Sequence, residues 1–341
     1  MKSRLFTVKS GLVLAGVAAF AFAGVAEAKN VRWNMSLWGK KRASTAGAHA
    51  VVETVEAKSG GTFKIKIHYN ALSKPKENLD GIKIGAFQMA VFCAAYHPAK
   101  TPALGVLDLP FLPYKDFDAK VASHEALYAH PAVIKDMERW NAKILMTTIL
   151  PEYEMMGRGK PPRTVADLKG MRVRALGGIG VAMKNLGAVP TTVPAPEVYT
   201  MISTGAVDGV TFPFTYAHAA YKVHEVSEWF TSNMSLGSVT CPLVINTKAW
   251  SKLSQEHKDI LWNARLVGYK EFRTVYKEAD DKNLPMFRAK LEEIKLSEPD
   301  LAALRKAGGK PVWDQWISEA KDKGLPSKEL FDLVMSKAKG M

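Results

Sequence analysis

The stretch Leu168–Phe212, LKGMRVRALGGIGVAMKNLGAVPTTVPAPEVYTMISTGAVDGVTF, decides the fold. Met171–Leu176 is a short apolar run interrupted by two arginines, which reads as a strand. Gly178–Leu186 follows as a helix and is stopped by Gly187, the expected glycine just past a helix end. Val189–Val193 is a second strand, Pro196–Thr204 a second helix closed by Gly205, and Val207–Phe212 a third strand. Strands alternating with helices at this spacing indicate a parallel sheet covered by helices.

The same rhythm runs upstream. A strand at Asn30–Leu37 precedes a helix at Thr45–Ser59, which Gly60-Gly61 terminates. In the strand Thr62–Tyr69, Phe63, Ile65, Ile67 and Tyr69 share one face, while Lys64, Lys66 and His68 share the other. A helix near Lys76–Ile84, a buried strand at Met89–Cys93 and a later strand at Lys143–Leu150 complete a first α/β block. The second block begins after Pro151. Beyond Trp250 the pattern changes: Ser254–Lys282 reads as one long helix without proline, followed by a helical tail containing Trp313 and Trp316. Residues 29–151 with about 240–279 are expected to form one lobe. Residues 152–239 with about 280–341, including the C-terminal helices, are expected to form the other. Clefts between such lobes, beyond the carboxyl ends of parallel strands, are where ligands bind.

The first residues bear on compartment. Lys2, Arg4 and Lys9 form a positive segment, and the apolar run Gly11–Val25 that follows is shorter than the ~20 residues needed to cross a bilayer. Ala26-Glu27-Ala28 is a small-x-small cleavage site, so the mature chain is expected to begin at Lys29, as a soluble exported protein. The 341-residue chain carries a formal charge of +14, of which +12 remains after Ala28. Its basic residues lie in small scattered groups such as Lys40-Lys41-Arg42, without aromatic interleaving. They read as solvated surface with some attraction for anions, and nucleic-acid binding is not expected. Cys93 and Cys241 both sit in apolar strand-like runs. A disulfide is possible in an oxidising compartment, but buried free thiols are the expectation.

Leu168-Lys169-Gly170 and its strand, Pro196-Glu197-Val198-Tyr199, and Gly205-Ala206-Val207-Asp208-Gly209 together resemble the solute-binding (DctP-like) subunits of tripartite ATP-independent periplasmic (TRAP) transporters. Further matches cover essentially the whole mature chain: the Met-Ser of the first strand (Ser36), Leu79-Asp80-Gly81, the Leu109-Pro110-Phe111 turn and the long helix. The resemblance implies a periplasmic binding protein-like α/β fold, with two lobes around a cleft and a long helix spanning both. It implies no catalysis, cofactor or bound metal, delivery of a small organic acid to a TRAP permease, and a monomer.

In that family the arginine ending the strand after Leu-Lys-Gly grips the ligand carboxylate, and the matching residue is Arg174. The physical reading agrees. A guanidinium is a planar two-pronged donor that fits a carboxylate, which lysine is not. Arg172 is read as structural. The sialic-acid branch carries a polar Gln-Glu-Asn after Val-Asp-Gly, where this chain has Val210, Thr211 and Phe212, and a second arginine where this chain has residues near Glu154. A sugar acid is therefore not expected, nor is a metal-assisted keto acid, whose Glu-Trp signature is missing. Aromatic residues stand in their place: Trp38, Phe92, Tyr96, Tyr153, Phe212, Phe214 and Tyr216. With Ser36, Cys93 and Glu154 they complete the candidate ligand site, and His97 and His218 are possible second donors. The expected ligand is a monocarboxylate with an aromatic or hydrophobic body, ahead of a dicarboxylate.

Other motifs fall short. Gly177-Gly178-Ile179-Gly180 opens a helix, but Met183 stands where a dinucleotide loop needs glycine, so the turn is read as letting a helix N-terminus approach an anion. Two rival functions are weighed: a carboxylate-binding protein of another importer or sensor, and a periplasmic enzyme with Cys93 as nucleophile.

Overall fold

The structure, a computed structural model, describes residues 30–340; the export segment and its cleavage site lie outside them. In chain order the strands are β1 (Val31–Leu37), β2 (Phe63–Tyr69), β3 (Met89–Val91), β4 (Ala142–Thr148), β5 (Tyr153–Gly157), β6 (Arg172–Arg174), β7 (Val189–Thr191), β8 (Gly209–Pro213), β9 (Trp229–Thr231), β10 (Cys241–Asn246) and β11 (Glu292–Ile294). They form two sheets, ordered β2-β1-β3-β10-β4 and β11-β9-β5-β8-β6-β7. β1 pairs in parallel with β2 and β3, and β6 with β7 and β8, as the alternating rhythm predicts.

Each sheet also contains one strand that runs against its neighbours. β10 is antiparallel to β3 and β4, and β5 to β8 and β9. These two strands arrive from the other half of the chain. β4 leads into β5 through residues 149–152, and β9 leads back to β10 through 232–240, so the halves are tied by two crossovers. β5, β8 and β10 are buried along their whole length, which is why none shows an alternating pattern.

The third tie is the helix Gln255–Lys290, 36 residues long. Sequence reading ends it at Lys282, before Pro285, yet it continues. Pro285 cannot donate to the carbonyl of Asp281, but both residues are exposed, where losing one helical bond costs least. Asn283 and Phe287 on the opposite face are buried and hold the last two turns in place. At its other end this helix lies against the helix Ala43–Lys58. Gly47 and Gly268 make the approach possible: a Cβ on Gly47 would stand 2.4 Å from the Phe272 ring, and one on Gly268 would stand 3.0 Å from the Gly47 carbonyl.

The tail divides differently from the expected boundary. The helix Glu298–Gly308 packs on the helix Gly177–Asn185 of the second half. The helices Lys310–Asp322 and Ser327–Ala338 return to the first half, against the turn Pro102–Asp108 and the helix Phe117–Tyr128. Trp313 Nε1 donates to the Pro110 carbonyl (2.8 Å) and Lys115 N to the Ala338 carbonyl (2.8 Å), fixing that return.

Cys93 and Cys241 form a disulfide, against the expectation of free thiols. The register explains it. Val91 pairs with Leu243 in the antiparallel β3–β10 ladder, so two residues further along Cys93 faces Cys241. Their sequence separation of 148 hid this, because only the crossover brings β10 beside β3.

A cavity closed between the two halves

The carboxyl ends of β1, β3, β6 and β8 and the crossover segments line a small cavity of about 50 Å³. The two halves touch around it. Ala195 N of the second half donates to the Tyr96 hydroxyl of the first (3.1 Å), and the Gly177-Gly178 turn lies on the backbone of Asp108–Pro110.

Arg174 ends β6 and is wholly buried. Its Nε and Nη2 donate to the Val193 carbonyl (3.1 and 2.9 Å) and its Nη1 to the Thr211 carbonyl (2.9 Å). These bonds lock the fork in one orientation over the Phe212 ring, 4.7 Å from its centroid. They use three of its five N–H groups, leaving one hydrogen on each Nη. Among the described residues no carboxylate pairs with it, and burial works against its charge. Arg172, two residues earlier, is different. It is half-exposed and bound to Asp208, with Nε donating to Oδ2 at 3.1 Å. One arginine is thus a surface ion pair, and the other is a buried cation without a counter-ion.

Seven of the eleven candidate residues line the cavity: Trp38, Cys93, Tyr96, Tyr153, Arg174, Phe212 and Tyr216. Trp38 and Tyr96 pack ring to ring at 6.1 Å. Burial pushes the Tyr153 phenol well above its ordinary range, against the pull of Arg174, so it stays a neutral hydroxyl.

Four candidates lie elsewhere, three of them for one recurring reason. Successive strand residues point to opposite faces, and in three pairs the neighbour lines the cavity: Leu37 rather than Ser36, Cys93 rather than Phe92, and Tyr153 rather than Glu154. Ser36 bonds Asn78 inside the first half (2.8 Å), and Phe92 packs with Leu104 and Leu107. Glu154 accepts from Thr231 Oγ1 (2.5 Å), Met234 N (3.2 Å) and Ser235 N (2.8 Å), so it anchors the segment after β9. Phe214 packs on Phe230 and Phe287.

The two histidines also fall outside. His97 Nε2 meets the Lys76 carbonyl (2.6 Å). His218 is buried behind Phe212, and burial lowers it to about 3. The Gly177-Gly178 turn lies in the contact between the halves. A Cβ on Gly178 would stand 2.6 Å from the Asp108 carbonyl oxygen.

Sequence reasoning missed Arg42 and Tyr221, which both line the cavity. Arg42 looked like one of three basic surface residues. Its position four residues after Trp38, at the start of a helix, was the available signal. Tyr221 sits one helical turn beyond Ala217, itself a lining residue, and continues the face that Tyr216 begins.

Two α/β halves, tied by crossovers and closed over a cavity with a buried cation in its wall, define a two-lobed binding protein. The chain belongs to the DctP family, bacterial extracellular solute-binding protein, family 7, whose model matches residues 36–319. It is 25% identical to a TRAP solute-binding protein of an unidentified marine microbe, specific for aromatic acid ligands and solved with metahydroxyphenylacetate. The match covers 91% of this chain and 99% of that one, with a TM-score of 0.80. The 2,3-diketo-L-gulonate-binding periplasmic protein YiaO of Escherichia coli is 23% identical over 329 residues, 93% of this chain and 95% of the relative. The C4-dicarboxylate-binding periplasmic protein DctP of Rhodobacter capsulatus is 27% identical over 246 residues, 70% and 71% of the two chains.

Proposed function

We propose that this protein captures a small organic acid with a compact aromatic or apolar body in the periplasm and hands it to a TRAP permease. One observation carries the reading: Arg174 is a fully buried guanidinium with two free N–H groups and no counter-ion among the described residues. A buried charge is tolerated when something pairs with it, and a ligand carboxylate fits its fork. Around it Trp38, Tyr96, Phe212 and Tyr216 give the cavity an aromatic lining suited to an apolar body. The metagenomic TRAP protein specific for aromatic acids supports the same class of ligand.

The mechanism is binding by closure, without bond chemistry. An acid enters while the lobes stand apart, meets Arg174, and is enclosed as Tyr96 and Ala195 come together across the cleft. Contacts made only in the closed form drive the motion. Cys93 is held in a disulfide and presents no thiolate to act as a nucleophile. The export segment is removed after Ala28, so N-terminal sequencing of the secreted protein should begin at Lys29.

Calorimetry with benzoate and 3-hydroxybenzoate tests the clamp. Arg174→Ala is expected to weaken binding at least about 100-fold, in line with the roughly 2–5 kcal/mol lost when one partner of a buried charge pair is removed. Arg174→Lys should lose nearly as much, because an ammonium cannot hold two carbonyls and a carboxylate in one plane. Unchanged affinity in a folded Arg174→Ala variant would reject the assignment.

A further inference from the structure

The cavity has a second polar end. Three buried side-chain atoms there have no hydrogen-bond partner among the described residues: Trp38 Nε1, Arg42 Nε and the Tyr221 hydroxyl. They form one cluster, since the Arg42 guanidinium lies 5.8 Å from the Trp38 ring centroid and 5.5 Å from that of Tyr221. Its Nη1 is committed to the Trp38 carbonyl (2.6 Å) and the Lys40 carbonyl (2.8 Å), which holds the head in place and leaves Nε unsatisfied. No carboxylate among the described residues pairs with Arg42.

The two ends are related through one aromatic pair. Phe212 and Tyr221 stack at 5.5 Å with 29° between their planes. Arg174 covers Phe212, and Arg42 covers Tyr221. The cavity is therefore bracketed by two guanidinium groups, each held by backbone carbonyls and each without an acid. Buried donors left unpaired are costly, and two of these three groups, an indole and a guanidinium N–H, can only donate.

We propose that the native solute is a bifunctional acid. Its carboxylate pairs with Arg174, and a second oxygen acceptor, anionic in the tightest ligands, is seated by Trp38 Nε1, Arg42 Nε and the Tyr221 hydroxyl. This rests on the carboxylate reading of Arg174 and departs from the monocarboxylate expected from sequence. A ring with oxygen groups at two positions can present one group to each end once the lobes part to widen the cavity of about 50 Å³.

Calorimetry with benzoate, 3-hydroxybenzoate, isophthalate and terephthalate tests it, because the second group is absent, neutral or anionic at two distances. The best bifunctional probe is expected to bind at least about tenfold tighter than benzoate. Tyr221→Phe removes the hydroxyl beside the Trp38 indole while keeping the ring, and should reduce that preference about fivefold or more. Arg42→Met should reduce it to within about twofold. Benzoate binding as tightly as every bifunctional probe would overturn the proposal, and so would a preference untouched by both substitutions. If Arg174→Ala loses all four probes while Tyr221→Phe and Arg42→Met leave their ratios unchanged, the carboxylate clamp stands and only the second contact falls. Binding of none of the four by the native protein counts against both.

Discussion

Arg174 illustrates how environment, not residue type, assigns a role. It and Arg172 share a strand, yet one meets Asp208 at the surface and the other ends in the cavity wall. Asp108 is a second residue whose setting has a measurable consequence. It is buried beneath the Gly177-Gly178 turn and accepts from Thr240 N (2.6 Å). Burial raises its pKa from 3.8 to about 8, against that hydrogen bond. The folded state therefore keeps a proton that the unfolded chain releases near pH 4. Its stabilising effect is complete below the unfolded value and is lost as pH rises through about 8. His124 and His218, lowered to about 3 by burial, act oppositely, but only below about pH 6.5. Urea unfolding should thus show stability falling from about pH 6.5 to about pH 8 and levelling off above it, and Asp108→Asn should flatten that slope.

At the scale of elements, the closest backbone approach is between the helices Ala43–Lys58 and Gln255–Lys290. Gly268 has no space for a side chain, with the Met146 thioether and the Gly47 carbonyl about 3.0 Å from any Cβ. Gly268→Val is expected to cost about 1–3 kcal/mol by forcing the helices apart, read as a lower urea midpoint. Elements were largely legible where periodicity or glycine punctuation marked them. The strand Phe63–Tyr69 keeps its alternation because one face meets water. The helix at Gly177–Asn185 stops beside Gly187, within one residue of the expected boundary. β5, β9 and β11 escaped because they are short, and β5 and β9 are also buried throughout. The site was legible in type but not in facing. Arg174 and most of the aromatic wall could be named, while Ser36, Phe92 and Glu154 were one residue out of phase with the cavity. Arg42 was hidden because a surface basic run and a cavity guanidinium look alike in sequence.

Across the whole molecule, closure depends on the fit between Gly178 and the Asp108–Pro110 backbone. Gly178→Val should hold the lobes apart, because a Cβ would meet Asp108 O at 2.6 Å and Pro110 Cδ at 2.7 Å. Affinity for 3-hydroxybenzoate is expected to fall about tenfold or more, since closed-state contacts supply it. Small-angle scattering should show ligand no longer compacting the variant. A truncation after Gly308 tests the returning tail. It removes the helices that cover Leu104, Leu107 and Leu127, so a chain ending there should fail to unfold cooperatively.

That winding path sets an order on assembly. The first sheet lacks the strand between β3 and β4 until residue 246 has been made, and its helical cover until residue 338. No portion of the chain that ends before residue 246 can complete the first sheet. For a family of extracellular solute-binding proteins, that order delays the first half's core until almost the whole chain is available.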